Sequence, residues 1–543
     1  MIAIQFSNVS LVLGAHTIFS NLTWEIQDNQ KIGLIGPNGA GKSSLLKLIT
    51  GEYTAEPSGG VTRGRGLSIG YLPQQPELPA HQTALSLALE GNPRMATLEA
   101  EIQQVETSLG DPMVYNHEKR LNHALDRQQT LLDEYHKLGG EQYPQRVRDL
   151  LAGLGLAEGE QNKPIRVLSG GQKKLVGLAR LLLAAPDVLL LDAPDNHLDL
   201  AGKLYLERLI QNYPGTVVLV SHDRYLLDTV VTHIVELEDG KISVFTGDFS
   251  SFSLDKQIRL ARQETLFQVQ QRQIAHIEAA IKRYSIWARV YDNQKFARRA
   301  RAIQHRLDSM DRLDRPVLER RRMGLQLNGW RGSTRVLEMK EVCKAYTGQP
   351  VLNGINLLIE HSERVGMIGK NGTGKSVLLR LLMGLETPDS GEIILGPSIK
   401  VAYYAQEHDT LDLEQTVIDA VRYAGRLNEG NAVSFLGRYL FTYQQSSQKI
   451  KELSGGERSR LQLALIVLSG ANFLLLDEPT NNLDIASAEV LETALEDFEG
   501  TTLIISHDRY FLDQVVDRLL VLEDGRVTAY AGGYSDYLNW QKG

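Results

Sequence analysis

The sequence predicts an α/β protein of two similar modules, each around a buried parallel sheet, joined by an α-helical hairpin. Three observations carry this reading. Four short motifs occur twice in the same order. Short apolar runs, VLLLDA through Ala193 and FLLLDE through Glu478, have the character of strands covered on both faces. Between the copies, Asp255 to Met323 resembles neither. There Ile274, Ile277, Ile281 and Tyr284, then Ile303, Leu307, Met310 and Val317, recur at helical spacing.

At 543 residues the chain exceeds one ordinary core, and roughly 150 residues per domain suggests about three or four units. The modules are placed at 1–250 and 335–543, with the linker at 251–334. Composition is that of a soluble globular protein, 42% hydrophobic and 23% charged. The start, MIAIQFSNVS, has no basic region and no apolar run, so no signal peptide is expected. No run approaches the roughly 20 apolar residues of a membrane span. The chain is therefore expected to be cytoplasmic, without a membrane domain. The one cysteine, Cys343, excludes an intrachain disulfide and reads as a small buried hydrophobe in a strand from Val336.

Taken in order, GPNGAGKS (Gly36 to Ser43) returns as GKNGTGKS (Gly369 to Ser376), and LSGGQ (Leu168 to Gln172) as LSGGE (Leu453 to Glu457). VLLLDAP, ending at Pro194, returns as FLLLDEP, ending at Pro479; SHDR at Ser221 returns at Ser506. The last three pairs are 285 residues apart and the first 333, so the first copy carries 48 extra residues between its first two motifs. The insertion falls at about 96–145. Leu98, Ile102, Val105 and Leu109 form one helical stripe; Leu121, Leu131 and Tyr135 suggest a second, after a break at Gly110-Asp111-Pro112. This arm is acidic. It reads as a solvated helix pair or a protein-docking arm, and as a poor binder of RNA backbone.

The repeated motifs carry phosphate chemistry. In G-x-x-x-x-G-K-S the glycines let backbone N–H groups close around phosphates, and the following helix points its positive end at them. The loops supply Gly36, Asn38, Gly39, Gly41 and Ser44, and Gly369, Asn371, Gly372 and Gly374. Lys42 and Lys375 are expected at the β- and γ-phosphates, Ser43 and Ser376 on Mg²⁺. Asp192 and Asp477 end apolar strands, where a carboxylate holds the Mg²⁺ shell. Glu478 follows directly and is placed to act as general base on water. His222 and His507, just past the strands VVLVS and TLIIS, are placed to meet the γ-phosphate.

This set, with LSGGQ between the phosphate loop and the strand-end aspartate, resembles the ATP-binding-cassette ATPases across both modules. The resemblance implies ATP and Mg²⁺ as ligands and two cassettes packed head to tail within one monomer. Site one then combines Lys42, Gln74, Asp192 and His222 with Ser454, Gly455, Gly456 and Glu457. Site two combines Lys375, Gln406, Asp477, Glu478 and His507 with Ser169, Gly170, Gly171 and Gln172. Gln74 and Gln406 are implied to join the Mg²⁺ shell. The family's adenine-stacking aromatic matches at Tyr346 but not at Leu13.

The copies also differ at the base. Where the second reads LLLDEPTNNLD, the first reads LLLDAPDNHLD. Ala193 cannot act as a base, so site one is expected to bind ATP with little or no hydrolysis while site two turns over. Asp195, where the second copy has Thr480, is offset from the base position and is a poor substitute.

Two fused cassettes with a charged helical linker are similar to the ABC-F family. That resemblance implies a ribosome partner. The hairpin would enter the tRNA exit site, near rRNA and the P-site tRNA, and the arm would face the L1 stalk. The tip chemistry suits RNA independently. Ile281 to Arg306 holds eight basic residues against Asp292, a net +7, in a chain of net charge −8. Lys282, Arg283, Arg289, Lys295, Arg298, Arg299 and Arg301 are the candidate phosphate contacts. Trp287, Tyr291 and Phe296 either stack on bases or pack the two helices together. Three functions stay open: a translation factor, an antibiotic-resistance factor that displaces ribosome-bound drugs, and an ATPase subunit of a membrane transporter.

Overall fold

The apolar run Lys31–Ile35 becomes an inner strand of a six-stranded sheet in the first module. The order is Ile69–Leu72, Val188–Asp192, Thr216–Val220, Lys31–Ile35, His233–Glu238 and Lys241–Thr246. All neighbours are parallel except the last pair, a hairpin. Val188–Asp192 and Thr216–Val220 are buried at every residue. Such strands need cover on both faces, and the intervening helices provide it. A smaller antiparallel sheet joins His16–Gln27, Ile2–Leu13 and Gly60–Arg63. Phe6 stacks on Trp24 there, at 5.5 Å between ring centres.

The second module repeats both sheets. Its larger one runs Val401–Tyr404, Phe473–Asp477, Thr501–Ile505, Arg364–Ile368, Arg518–Glu523 and Arg526–Ala531. The coordinates are a computed structural model. It describes every residue except 1, 15, 57–58, 197, 291–293, 311–322, 328, 347, 406–409 and 543, and the side chains of 16, 297 and 542. Tyr291, Asp292, Val317 and Gln406 therefore lie outside the described residues.

The chain forms two compact units. One combines Met1–Asp248 with Met323–Gly543; the other is Phe249–Arg322. Met323, Leu325 and Leu327 are buried in the core of the second module, so this core draws on apolar residues upstream of 335. The smaller unit holds a helix of 42 residues, Phe249–Val290, and a second helix, Gln294–Asp308. Near their junction Tyr284, Trp287 and Phe296 pack on one another, 5.7 to 6.2 Å between ring centres. The guanidinium of Arg299 lies 5.4 Å from the Tyr284 ring. These rings hold the two helices together, which is the packing alternative for Trp287 and Phe296. Among the described residues no helix is long and apolar enough to cross a membrane.

One strand reading changes. Cys343 is half-buried rather than a core residue, and its sulfur accepts the Gly354 N–H at 3.1 Å. It lies near the end of its strand, where the sheet surface opens.

The inserted arm is a pair of helices, Pro93–Leu109 and Glu118–Lys137. Asn92 caps the first by accepting the N–H groups of Arg94 and Met95, and Pro93 costs nothing in the first turn. Leu98, Val105 and Leu131 form a small core of their own. That core is too thin to lose a side chain. Leu98→Ala is expected to cost about 2–5 kcal/mol of local stability. Hydrogen exchange should then show protection lost along both arm helices while strand Val188–Asp192 keeps its own. Equal loss in both would contradict an independent arm core.

Candidate functional site

The phosphate loop of the first module turns between strand Lys31–Ile35 and helix Lys42–Thr50. Gly36, Gly39 and Gly41 have φ of 147°, 82° and 99°. A side chain at Gly36 would meet the Leu237 carbonyl oxygen at 2.2 Å, so only glycine lets the loop close here. Lys42 bends back over the loop, donating to the carbonyls of Gly36 at 2.7 Å and Pro37 at 3.0 Å. Lys375 repeats this on Gly369 at 2.6 Å and Lys370 at 2.9 Å. Gly372 and Gly374 have φ of 81° and 101°, matching Gly39 and Gly41. Burial pulls Lys42 down to about 8, against the opposing pull of Asp484 and Asp192. A desolvated lysine of this kind gains most from an incoming anion.

Each loop is also held by the opposite module. Asp484 starts its helix by accepting the Ser487 N–H on Oδ1 at 2.9 Å; its Oδ2 accepts the Asn38 N–H at 3.1 Å. Asp199 does the same, with Gly202 at 2.9 Å and Asn371 at 3.3 Å. Asn38 Nδ2 further donates to the Asn482 carbonyl at 2.9 Å. Two reciprocal buried ion pairs, Arg224–Glu492 and Arg509–Glu207, lie at the same interface. Each guanidinium also covers a tyrosine of the other module, Arg224 over Tyr510 at 4.0 Å and Arg509 over Tyr225 at 4.9 Å.

Site one is a cavity of about 490 Å³. Asn38, Gly39, Gly41, Lys42, Ser43, Ser44, Gln74, Asp192, Ala193 and His222 line it from the first module. Ser454, Gly455, Gly456 and Glu457 line it from the second. A Cβ on Gly456 would lie 2.9 Å from Asn38 Nδ2, so the signature loop is pressed against the phosphate loop. Ser454 and Ser169 each cap the following helix, reciprocally with Glu457 and Gln172. These caps hold Gly455 and Gly170 at the first turns.

At site two, Ser376 Oγ donates to Asp477 Oδ2 at 3.2 Å. Glu478 Oε2 accepts the His507 N–H at 3.2 Å, and Oε1 lies 3.6 Å from His507 Nε2. Burial, with Asp477 adding, lifts the Glu478 carboxyl to about 7. Burial, then Lys375 and Lys203, push His507 well below the usual imidazole range; His222 falls to about 4, by burial and then Lys42. Both histidines are therefore neutral donors at neutral pH. Among the described residues, Glu478 Oε1, His222 Nδ1 and His507 Nδ1 are buried without a hydrogen-bond partner. Around the site-one cavity, buried Lys42 and Asp192 with the open His222 Nδ1 fit a nucleoside triphosphate with Mg²⁺, and Lys375, Asp477, Glu478 and His507 repeat that set at site two.

Ala193 and Glu478 share an unusual backbone, φ 49° and 50°. Their N–H groups donate to Val220 and Ile505, each at 2.8 Å. The first module thus keeps the strained turn without the carboxylate. Tyr346 is 39% exposed, with its hydroxyl donating to the Glu386 carboxylate; Leu13 packs against the first module's core. The tip residues Lys282, Arg283, Arg289, Lys295, Arg298, Arg299 and Arg301 are all exposed.

Comparison with known proteins agrees with this geometry. A family model described as ABC transporter matches residues 19–196 and 352–481, and a second of the same description matches 235–326. The energy-dependent translational throttle protein EttA of Haemophilus influenzae is 35% identical over 97% of this chain and 93% of its own length. The chain belongs to the ABC-F family. Other relatives include the ABC transporter ATP-binding protein YfmR of Bacillus subtilis, 36% identical over 100% of this chain and 84% of its own length. YheS of Escherichia coli is 33% identical over 99% and 81%. Among solved structures, an archaeal ribosome recycling factor, aABCE1, has the same fold. It shows a TM-score of 0.63 at 20% identity, over 98% of this chain and 92% of that one. As an ABC-F member the chain is an ATPase with two cassettes.

The sequence reading missed the reciprocal ion pairs. Their signal was present, because Glu207 and Glu492, like Arg224 and Arg509, are 285 residues apart. Removing one partner strands a buried charge. Arg224→Ala is expected to cost about 3–5 kcal/mol, and Arg224→Met with Glu492→Leu far less. Calorimetric unfolding of the single and double variants checks this; equal losses would contradict a coupled pair.

Proposed function

We propose that this ABC-F protein binds ATP at both sites, hydrolyses it at site two, and in the closed state engages the ribosome through its hairpin tip. The observation that carries the ribosome reading is the exposed tip itself, net +7 in a chain of net charge −8. Concentrated arginine and lysine neutralise phosphates, and the local field draws RNA. The name of the EttA relative places that protein in translation. The tip then reaches rRNA and the P-site tRNA near the exit site, to modulate translation or relieve stalling. The acidic arm faces the L1 stalk, and the factor works in the cytoplasm as a monomer. Arg283 and Arg299, stacked on the aromatic cluster, offer their guanidinium edges to phosphate.

At site two, Lys375 and the loop amides bind the triphosphate, and Ser169, Gly170 and Gly171 close it from the other cassette. Ser376 and Asp477 would hold Mg²⁺, which would supply positive charge against the phosphate oxygens. Glu478 takes the proton of the attacking water, and neutral His507 donates to the γ-phosphate. Tyr346 stacks on adenine. Site one binds through the same groups but has no base at Ala193. Release from the ribosome follows hydrolysis at site two.

Glu478→Gln should lower single-turnover hydrolysis by about 10²- to 10⁴-fold. With ATP, the same variant should sediment with ribosomes, and binding should fall steeply as salt rises. Protein left in the supernatant, or a flat salt response, would contradict the ribosome reading.

A further inference from the structure

The two cassettes differ at a further position, one that borders the site-one cavity and reaches across to site two. Lys203 follows the loop aspartate Asp199 on helix Leu200–Gln211, and its side chain is 11% exposed. Its Nζ donates to Asp223 Oδ2 at 2.9 Å, within its own cassette, and to the backbone carbonyl of His507 at 2.9 Å, in the other. The residue 285 positions on is Ala488, which lines the site-one cavity with His222. Alanine has no atom to reach a carbonyl there. The histidine turn of site two is therefore clamped from across the interface, and this clamp has no counterpart at site one.

The lysine does not stand alone. Asp195 is buried beside it, where the second cassette has Thr480. The first cassette thus reads Ala193, Asp195, Lys203 against Glu478, Thr480, Ala488 in the second. It lacks the Glu478 carboxylate and holds an extra buried carboxyl group and an extra buried ammonium. An ammonium so placed needs compensation. Burial alone would lower Lys203, but Asp223, Asp195 and Asp508 outweigh it and hold the ammonium above the ordinary lysine range.

We propose that Lys203 is a positioning residue for hydrolysis at site two, acting in trans and carrying the nucleotide state of site one to it. The inference rests on the reading that site two is the hydrolytic one. His507 is fixed through both of its peptide groups: its carbonyl by Lys203, and its N–H by Glu478 at 3.2 Å. The lysine therefore sets the backbone against which the general base is aligned. At its other contact it rests on Asp223, next to His222, which lines site one. ATP in site one orders the His222 turn, and Asp223 passes that order through Lys203.

The test is the double variant Asp195→Thr with Lys203→Ala, which installs the second cassette's own pair and leaves Asp223 paired with Arg509 at 3.6 Å. Lys203→Arg serves as the conservative rescue, and Glu478→Gln as the reference for loss of the base. The expected result is a fall in kcat of about 10- to 100-fold, with KM for ATP unchanged and most of kcat kept by Lys203→Arg. Lys42→Ala, which weakens nucleotide binding at site one, should lower site-two turnover in the unmodified chain and add nothing in the double variant. If the double variant does not fold, Lys203→Met, unbranched and close in length but without the ammonium, should give the same loss of kcat. Unchanged kcat overturns the proposal, as does an equal effect of Lys42→Ala in both backgrounds. Full turnover in Glu478→Gln would instead remove the reading of site two, and is told apart by that single variant.

Discussion

Asp199 and Asp484 each serve two masters with one carboxylate. One oxygen starts the aspartate's own helix; the other holds a backbone N–H of the opposite phosphate loop. A helix cap is ordinarily a local device. Here the cap and the interface use the same group, so each phosphate loop, shaped within its own module, is also tied to the opposite one. The buried exchange of Arg224 with Glu492 and of Arg509 with Glu207 adds to this constraint. Such pairs favour one registration strongly, because any slip strands buried charge.

On this near-symmetric frame the two sites have been made unequal by side chains alone. Ala193 keeps the left-handed backbone of Glu478, a conformation that costs a non-glycine residue about 1–2 kcal/mol. The turn is retained because its N–H closes onto the neighbouring strand, so the first site keeps the backbone of the second without its carboxylate.

Much of this was legible in the sequence because it rests on spacing. Equal offsets of 285 residues revealed the repeat, and glycines at fixed places revealed loops that need positive φ. The pattern Leu98, Ile102, Val105 and Leu109 matches the arm's small core, with Leu131 from the second helix. Other features depend on what meets across space. Nothing in the run LAGKLYLERL says that Lys203 reaches the His507 carbonyl, because the partner is 304 residues away. The aromatic residues near the hairpin tip had two readings from sequence. Only the ring contacts among Tyr284, Trp287 and Phe296 show that they tie the helices together. Cys343 misled because strand apolarity predicts burial on average, not at a strand's end.

On the proposed function, one chain holds two nucleotides and hydrolyses one. Rapid-quench hydrolysis with both sites filled measures this directly, by the phosphate released in the first turnover relative to the ATP bound. The account predicts one phosphate for every two bound nucleotides, with the other recovered as ATP. Two phosphates released at the same rate would contradict it.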